Sequence, residues 1–169
     1  LTQAQRSHDW FLLESSPVAY GKESPYLPVI ELLKAYFQLD TRAAPQTRHA
    51  QVVDKLHTLG EGLEPLLPAV LALLDLPVED PQWQALEPPQ RRQRILDACT
   101  RLFLRTSQVQ PILLIVENLH WIDAETQAFL DGLVESLPTA RLLLLVNYRP
   151  EYQHSWRNKT YYTQLRLDP

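Results

Sequence analysis

Two short runs of this sequence are apolar from end to end. The first, PILLIV, covers residues 111–116, and the second, RLLLLVN, has its apolar residues at 142–146. A strand with one face in water alternates apolar and polar residues, whereas a strand inside a parallel sheet is covered on both faces and is apolar throughout. We therefore predict two doubly buried strands in a parallel sheet that carries helices on both faces.

The segment between these runs has the pattern of a helix. Asp123 stands where an N-cap belongs, at the start of a stripe of apolar positions with helical spacing. The stripe consists of Thr126, Phe129, Leu130, Leu133, Val134 and Leu137. Residues 111–147 therefore form a strand-helix-strand unit, for which a right-handed crossover is the rule. The fold class that this unit predicts is α/β.

The remaining segments add further strands and helices to this unit. Residues 10–13 predict an interior strand ahead of a loop. Apolar residues at helical spacing predict a helix behind Pro28, two or three short helices over residues 46–76, and a helix over residues 91–106. The proline-rich residues 77–90 predict an irregular connection, and the alternating tail TYYTQLRLD predicts one further strand.

Length and charge favour one domain with neither a nucleic acid nor a membrane as its partner. The chain has 169 residues, of which 45% are hydrophobic, so we expect one core and a single domain over residues 1–169. The net charge of −4 argues against a polyanionic partner. No window of the sequence approaches the roughly 18 consecutive apolar residues of a membrane span.

Two residue counts bear on the origin of the chain. The single cysteine, Cys99, excludes a disulfide framework and favours a reducing compartment, which points to the cytoplasm. Methionine is absent, and the chain runs from Leu1 to Pro169. We therefore expect a domain that is truncated at both ends.

Polar residues stand where each apolar run ends. Glu117 and Asn118 follow the first run, and Asn147 and Arg149 stand at the end of the second. Because ligands of parallel sheets bind at the carboxyl ends of the strands, we expect these side chains to face one crevice. An acid after an apolar strand is typical of a Walker B motif, whose carboxylate stands near the Mg²⁺ ion on nucleotide phosphates. The alternative is a polar residue that merely ends a strand.

Longer strings carry a family resemblance. ILLIVENLHWID, followed by a helix and LLLLVNYRPEY, resembles the ATPase domain of the signal-transduction ATPases with numerous domains (STAND), a branch of the AAA-like P-loop NTPases. The strings YGKESPYLPVIELLKAYF and PQWQALEPPQRRQRILDA extend the resemblance, which is strongest to bacterial regulators that join this module to a class III adenylate/guanylate cyclase domain. It implies a partial P-loop NTPase fold (ASCE/AAA-like): a parallel sheet flanked by helices, with a helical insertion between the first strand and the Walker B strand.

The resemblance also implies a role for each polar residue. Glu117 matches the first Walker B acid, the carboxylate on the Mg²⁺ side. Asn118 stands where the family usually has a second acid, which polarises the attacking water. Asn147 and Arg149 match the end of the sensor strand, where Arg149 would meet the γ-phosphate or a neighbouring subunit. The expected ligands are ATP and Mg²⁺, with Glu117, Asn147 and Arg149 on the nucleotide.

Asn118 is the departure from this pattern that bears on hydrolysis. An amide can hydrogen-bond a water molecule but cannot accept its proton, and loss of a general base costs about 10²–10⁴-fold in rate. Glu117 or Asp123 could partly substitute for it. The expected function is an ATP-dependent regulatory switch, flanked by the cyclase domain and by tetratricopeptide-like helical repeats, with oligomers possible. The alternative is a non-hydrolysing interaction module that retains a degenerate ATPase fold.

The loop that cradles phosphates is missing from the sequence. The pattern G-x-x-x-x-G-K-[ST] does not occur, because Gly21-Lys22 lacks the earlier glycine and precedes Glu23. In the resembling proteins this loop lies just upstream of a segment like residues 1–15. We therefore expect half of a nucleotide site.

Two further features have plainer interpretations. His120 and Trp121 are a hallmark of the resembling family, yet a loop histidine beside an aromatic ring is more often packing than chemistry. Arg91, Arg92 and Arg94 begin a predicted helix, where the helix dipole disfavours positive charge. They predict a solvated face or, as the alternative, a contact with an acidic partner.

Overall fold

A three-stranded parallel sheet lies at the centre of the computed structural model, which describes residues 10–19 and 24–166. The strands are β1 (Phe11–Ser15), β2 (Ile112–Val116) and β3 (Leu142–Val146), in the order β1-β2-β3. In the central register Leu114 of β2 pairs with Leu13 and Leu144. The predicted parallel sheet and its strand-helix-strand unit are confirmed, and the first strand lies slightly further along the chain than predicted.

Six α-helices accompany the sheet in the described part of the chain. They are α1 (Leu27–Phe37), α2 (Pro45–Leu59), α3 (Leu67–Leu73), α4 (Pro81–Gln84), α5 (Pro88–Val109) and α6 (Ala124–Ser136). The helices α1 to α5 separate β1 from β2, which confirms the helical insertion. No helix among these residues is long and apolar enough to cross a membrane.

The proline-rich connection contains more helix than its composition predicts. Asp80 caps α4 by accepting hydrogen bonds from the backbone N–H groups of Gln82 and Trp83. At the start of α5 a capping box joins Glu87 and Gln90. Proline is compatible with the first turn of a helix, where its missing N–H costs no intrahelical bond, and so both helices begin at prolines.

The main core lies between the helices and one face of the sheet. Ile112, Leu114 and Val116 of β2 are buried in it, together with the aromatic rings of Tyr36, Phe103 and Phe129 and with Cys99. The Tyr36 hydroxyl is satisfied inside this core by Thr106 Oγ1 at 2.9 Å. A buried polar group without such a partner would be costly.

The edge strand β3 departs from the predicted burial. Leu143 and Leu145 are 53% and 40% exposed, so the prediction that this strand is buried on both faces is wrong. Their partners in β2, Leu113 and Ile115, are buried, and β2 has a strand on each side. A run of leucines shows which side chains are more stable when buried, but it does not show whether other elements bury the side chains of an edge strand.

The tail after β3 packs on α6 instead of forming a strand. Residues 148–162, which we call the strap, contain the 3-10 turn Ser155–Asn158, and the Tyr161 hydroxyl donates to the carbonyl of Val134. The predicted further strand is therefore wrong over residues 160–166, and its last positions lie outside the described residues.

Candidate functional site

The carboxyl ends of all three strands meet at one edge of the sheet. Just beyond β2, the Glu117 N–H donates to the carbonyl of Ser15 at 2.9 Å. Just beyond β3, the Asn147 N–H donates to the carbonyl of Val116 at 3.3 Å. The parallel ladder therefore continues past the strands and aligns the first polar residue of each loop.

Asn118 and Asn147 are in direct contact. The Asn118 N–H donates to Oδ1 of Asn147 at 2.6 Å, and the Leu119 N–H donates to the Asn147 carbonyl at 2.9 Å. Asn118 has a left-handed backbone with φ of 49°, a region that asparagine enters more easily than most residues. Asn147 thus fastens the loop that follows β2, and it brings the two polar clusters together.

Glu117 lies beside this contact, half-buried at the end of β2. Its Oε2 accepts a hydrogen bond from the Ser16 hydroxyl at 3.0 Å. Ser16 follows β1, so residues after all three strands contribute to this edge. Sequence reasoning missed Ser16 because a small polar residue in a loop carries no signal for a partner 101 positions away.

Arg149 stands at the outer side of the same edge. Its guanidinium carbon lies 5.9 Å from the ring centroid of Trp121, at the outer limit of a cation–π contact. Trp121 in turn packs against His120, with ring centroids 4.7 Å apart. The structure brings Arg149 to the loop after β2, but through Trp121 and not through Glu117 or Asn118.

Asp123 caps α6, as predicted. Its Oδ1 accepts hydrogen bonds from the backbone N–H groups of Glu125, Thr126 and Tyr26 at 2.9–3.0 Å, and its Oδ2 accepts one from the Thr126 hydroxyl at 2.6 Å. The carboxylate is only 6% exposed. Four donors on a buried carboxylate make Asp123 a structural group, which argues against the idea that it substitutes for a missing base.

A polar bridge links α6 to α1 and α5. The Tyr26 hydroxyl donates to Glu125 at 3.0 Å, and Arg92 forms an ion pair with the same carboxylate at 2.7 Å. Burial, followed by the Glu125 carboxylate, raises the pKa of Tyr26 above its usual range. Arg92 thus has an internal partner, and Arg91 donates to the carbonyl of Gln84, so two of the three arginines are used within the chain.

A cleft of about 390 Å³ lies between the start of α6 and the strap. Its walls include His120, Asp123, Gln127, Tyr152 and His154. His154 accepts a hydrogen bond at Nδ1 from the Trp156 N–H, while burial and the Arg157 charge lower its pKa. The cleft is beside the strand edge rather than in it, and His120 lies in its wall.

The strand edge offers oxygen ligands rather than a closed metal cage. No three His, Cys, Asp or Glu side chains in the described ranges group closely enough to hold a metal ion by themselves. Mg²⁺ bound to nucleotide phosphates keeps several waters and needs only one or two protein oxygens. Glu117, a carboxylate whose Oε2 already accepts a hydroxyl hydrogen bond, fits that requirement.

Comparison with known proteins identifies a protein family that matches this chain. A family model described as AAA ATPase domain matches residues 1–146, a range that contains β1, the helical insertion, β2, α6 and β3. No curated protein and no solved structure matches the chain. The parallel sheet flanked by helices is the partial P-loop NTPase fold that the sequence predicts, and domains of this kind generally bind ATP and Mg²⁺. Because the match extends over most of the chain, the chain belongs to the AAA ATPase domain family.

Proposed function

We propose that this chain forms the Walker B and sensor-strand part of a Mg-ATP-binding switch module in a multidomain signal-transduction protein. One observation carries the proposal: Asn147 fastens the loop after β2, so that Asn118 and Glu117 share a strand edge with it in an AAA ATPase domain. Ligands of open parallel sheets bind at such edges. A half-buried carboxylate there provides a ligand for the hydration shell of Mg²⁺.

Each residue at the edge has a proposed role. Glu117 accepts a hydrogen bond from a water molecule that is bound to the Mg²⁺ ion, and Asn118 orients a second water molecule near the γ-phosphate. Asn147 holds the loop that carries both residues and presents its own polar group to the nucleotide. Arg149 supplies a positive charge to the γ-phosphate or to an adjacent subunit, with Trp121 beside its guanidinium.

The phosphate-binding loop is proposed to come from outside the described residues. The sheet leaves room beside β3 for the strand that would carry this loop, because Leu143 and Leu145 are exposed and the described part of the chain provides no strand on that side. A parallel strand paired with the free side of β3 would end next to Asn147. A loop at its carboxyl end would therefore face Glu117 across the same crevice.

The wider setting rests on the STAND-like strings of the sequence. By that resemblance the module lies in a cytoplasmic protein, next to a nucleotide cyclase domain and to helical repeats, and self-association is possible. Bound Mg-ATP and its hydrolysis would shift the packing of the module against these neighbours.

The test is calorimetric titration of the full-length protein with ATP. With Mg²⁺ present, Glu117→Gln should weaken ATP affinity about tenfold or more, because the metal loses a charged partner. Chelation of Mg²⁺ should weaken ATP binding by the unmodified protein and remove the difference in affinity between the two proteins. Glu61→Gln, in an exposed turn after α2 in the helical insertion, serves as the control and should bind Mg-ATP as the unmodified protein does. Equal Mg-ATP affinity in Glu117→Gln and Glu61→Gln would refute the role of Glu117.

A second candidate function is a non-hydrolysing interaction module. The amide at Asn118 favours it, since no side-chain base occupies that position. This candidate predicts that the full-length protein binds Mg-ATP without releasing phosphate, or does not bind it at all. The switch function predicts that the full-length protein both binds Mg-ATP and releases phosphate.

A further inference from the structure

The strap is attached to α6 through polar side chains on one stripe of that helix. The Tyr152 hydroxyl donates to Gln127 Oε1, the Trp156 indole N–H donates to Asp131 Oδ1 at 2.7 Å, and Lys159 pairs with Glu135 at 2.6 Å. Gln127, Asp131 and Glu135 are four residues apart, which puts them on one face of α6. The strap therefore follows the helix axis over two turns.

Asp131 is the centre of this attachment. Its Oδ1 accepts both the Trp156 indole N–H and the side-chain N–H of Gln127, the latter at 2.8 Å. Gln127 in turn accepts from Tyr152, so one carboxylate supports two contacts of the strap. The Trp156 ring is buried to 3% exposure, which makes this the least solvated of the three attachments.

The attachment closes a ring of contacts around the strand edge. From Glu117 the chain passes through the loop of Asn118 into α6, and the strap returns from α6 to Arg149 and Asn147. The ring closes where Asn147 accepts the N–H groups of Asn118 and Leu119. The strap is therefore a further connection between two loops whose direct contacts are the exposed hydrogen bond of Asn118, the hydrogen bond of the buried Leu119 and the contact of Arg149 with Trp121.

We infer that the strap is a positioning element, which holds Asn147 against the loop after β2 and so keeps the strand edge in a single arrangement. The hydrogen bond from Asn118 to the Asn147 side chain is exposed and opens readily, because water competes for both groups, whereas Leu119 beside it is buried. A tethered partner recloses faster, since the strap keeps Asn147 at high effective concentration near residues 118 and 119. Asp131 is thus a positioning residue that acts through Asn147. The consequence for nucleotide affinity rests on the proposed function, whereas the consequence for the two amides does not.

Hydrogen exchange in the nucleotide-free full-length protein tests the inference directly. Asp131→Ala should speed exchange at the amides of Asn118 and Leu119 about five- to tenfold, because their bonds to Asn147 open more often. Asp131→Asn keeps an oxygen that accepts from Trp156 and should restore slow exchange. Asp131 is half-buried on the helix surface, and alanine favours helix, so the variant should fold.

A matched control lies one turn further along α6. Glu135→Ala makes the same kind of change but removes only an ion pair with an exposed carboxylate, and exchange at Asn118 and Leu119 should remain at the unmodified rate. Trp156→Phe, which removes the indole donor and keeps an aromatic ring, should act like Asp131→Ala. If strap amides exchange faster in Asp131→Ala while those of Asn118 and Leu119 do not, the strap is local packing and the inference is wrong.

Nucleotide binding gives a second and separate measurement. Asp131→Ala should weaken Mg-ATP affinity about threefold to tenfold in calorimetry, a coupling of about 0.7–1.4 kcal/mol, and Glu135→Ala should not. If the unmodified protein fails to bind Mg-ATP, the proposed function fails, while the exchange experiment still decides the role of the strap. Unchanged affinity in Asp131→Ala, in a protein that binds Mg-ATP, would contradict the inference.

Discussion

At the scale of single residues, Asn118 combines an amide side chain with a left-handed backbone. Its φ of 49° suits asparagine, aspartate and glycine, which tolerate this region better than other residues. An aspartate at this position would thus have the same backbone and would add a carboxylate. The amide is therefore a chemical departure from the family pattern rather than a requirement of the turn.

This leads to a prediction for hydrolysis. In the full-length protein, Asn118→Asp should increase the rate of phosphate release from Mg-ATP, because the carboxylate can accept the proton of the attacking water. A well-placed general base is worth about 10²–10⁴-fold, which sets the upper range of the effect. Single-turnover phosphate release measures it.

Asn118→Gly is the matched control for that experiment. Glycine keeps the left-handed backbone and has no side chain that could accept a proton. Release by Asn118→Gly should stay at or below the unmodified rate. An Asn118→Asp protein that binds Mg-ATP but releases phosphate no faster would remove residue 118 from the mechanism.

At the scale of secondary structure, the start of α6 depends on several hydrogen bonds that Asp123 accepts. Asp123→Ala removes an N-cap, and it leaves the backbone N–H of Tyr26 and the Thr126 hydroxyl without their partner. The cap alone is worth about 1 kcal/mol, and the lost partners add to it, so we expect the free energy of unfolding to fall by about 2–4 kcal/mol. Urea unfolding followed by circular dichroism measures this change.

Asp123→Asn separates the cap from the charge. The amide oxygen can still accept the three backbone N–H groups that Oδ1 accepts in the structure. The loss should therefore be clearly smaller than in Asp123→Ala. Equal losses in the two variants would show that charge, not the cap geometry, determines the contribution of Asp123.

These elements differ in how far the local sequence determines them. The bounds of β2 and the start of α6 could be predicted because an apolar run and a capping residue are local signals. The exposure of β3 and the packing of the strap could not, because each depends on which element lies beside it. The helix that begins at Pro88 starts before the predicted residue 91, because prolines not only mark irregular structure but also begin helices.

The same distinction applies to the candidate site. The meeting of Asn118 with Asn147 could be expected, since parallel strands place their carboxyl ends at one edge. Ser16 and Tyr26 could not be expected to reach Glu117 and Glu125, because these pairs are separated by about a hundred residues and neither member has a distinctive sequence context.

At the scale of the whole molecule, Cys99 reports on opening of the core. It is fully buried beside the large aromatic side chains, and burial raises the pKa of its thiol from 9.0 to about 12. In the unfolded chain the thiol ionises near its ordinary pKa. Above pH 9 ionisation therefore favours the unfolded chain, and the stability that the neutral thiol contributes is lost as the pH rises toward 12.

A comparison with Cys99→Ala isolates this effect. Between pH 9 and 10 the free energy of unfolding should fall more steeply in the unmodified protein than in Cys99→Ala, by up to about 1.4 kcal/mol per pH unit. Guanidinium unfolding at several pH values provides the measurement. Parallel pH profiles would show that the thiol ionises in the folded protein and that the core is open to solvent near Cys99. Burial also raises the pKa values of Tyr36 and the half-buried Tyr152 above 10.0, so their ionisation lowers stability in the same direction but mainly above pH 10.

The register of β1 on β2 has a consequence for the order in which the chain folds. Phe11 pairs with Ile112, so the pairing of β1 with β2 closes a loop that contains the whole helical insertion. The entropy lost in closing a loop rises with its length, and contacts distant in sequence form slowly. Helices α1 to α5 can fold through contacts closer in sequence and shorten the effective loop before the strands meet. We therefore expect the strand edge with Glu117 and Ser16, the part proposed to bind nucleotide, to be among the last regions of the molecule to form.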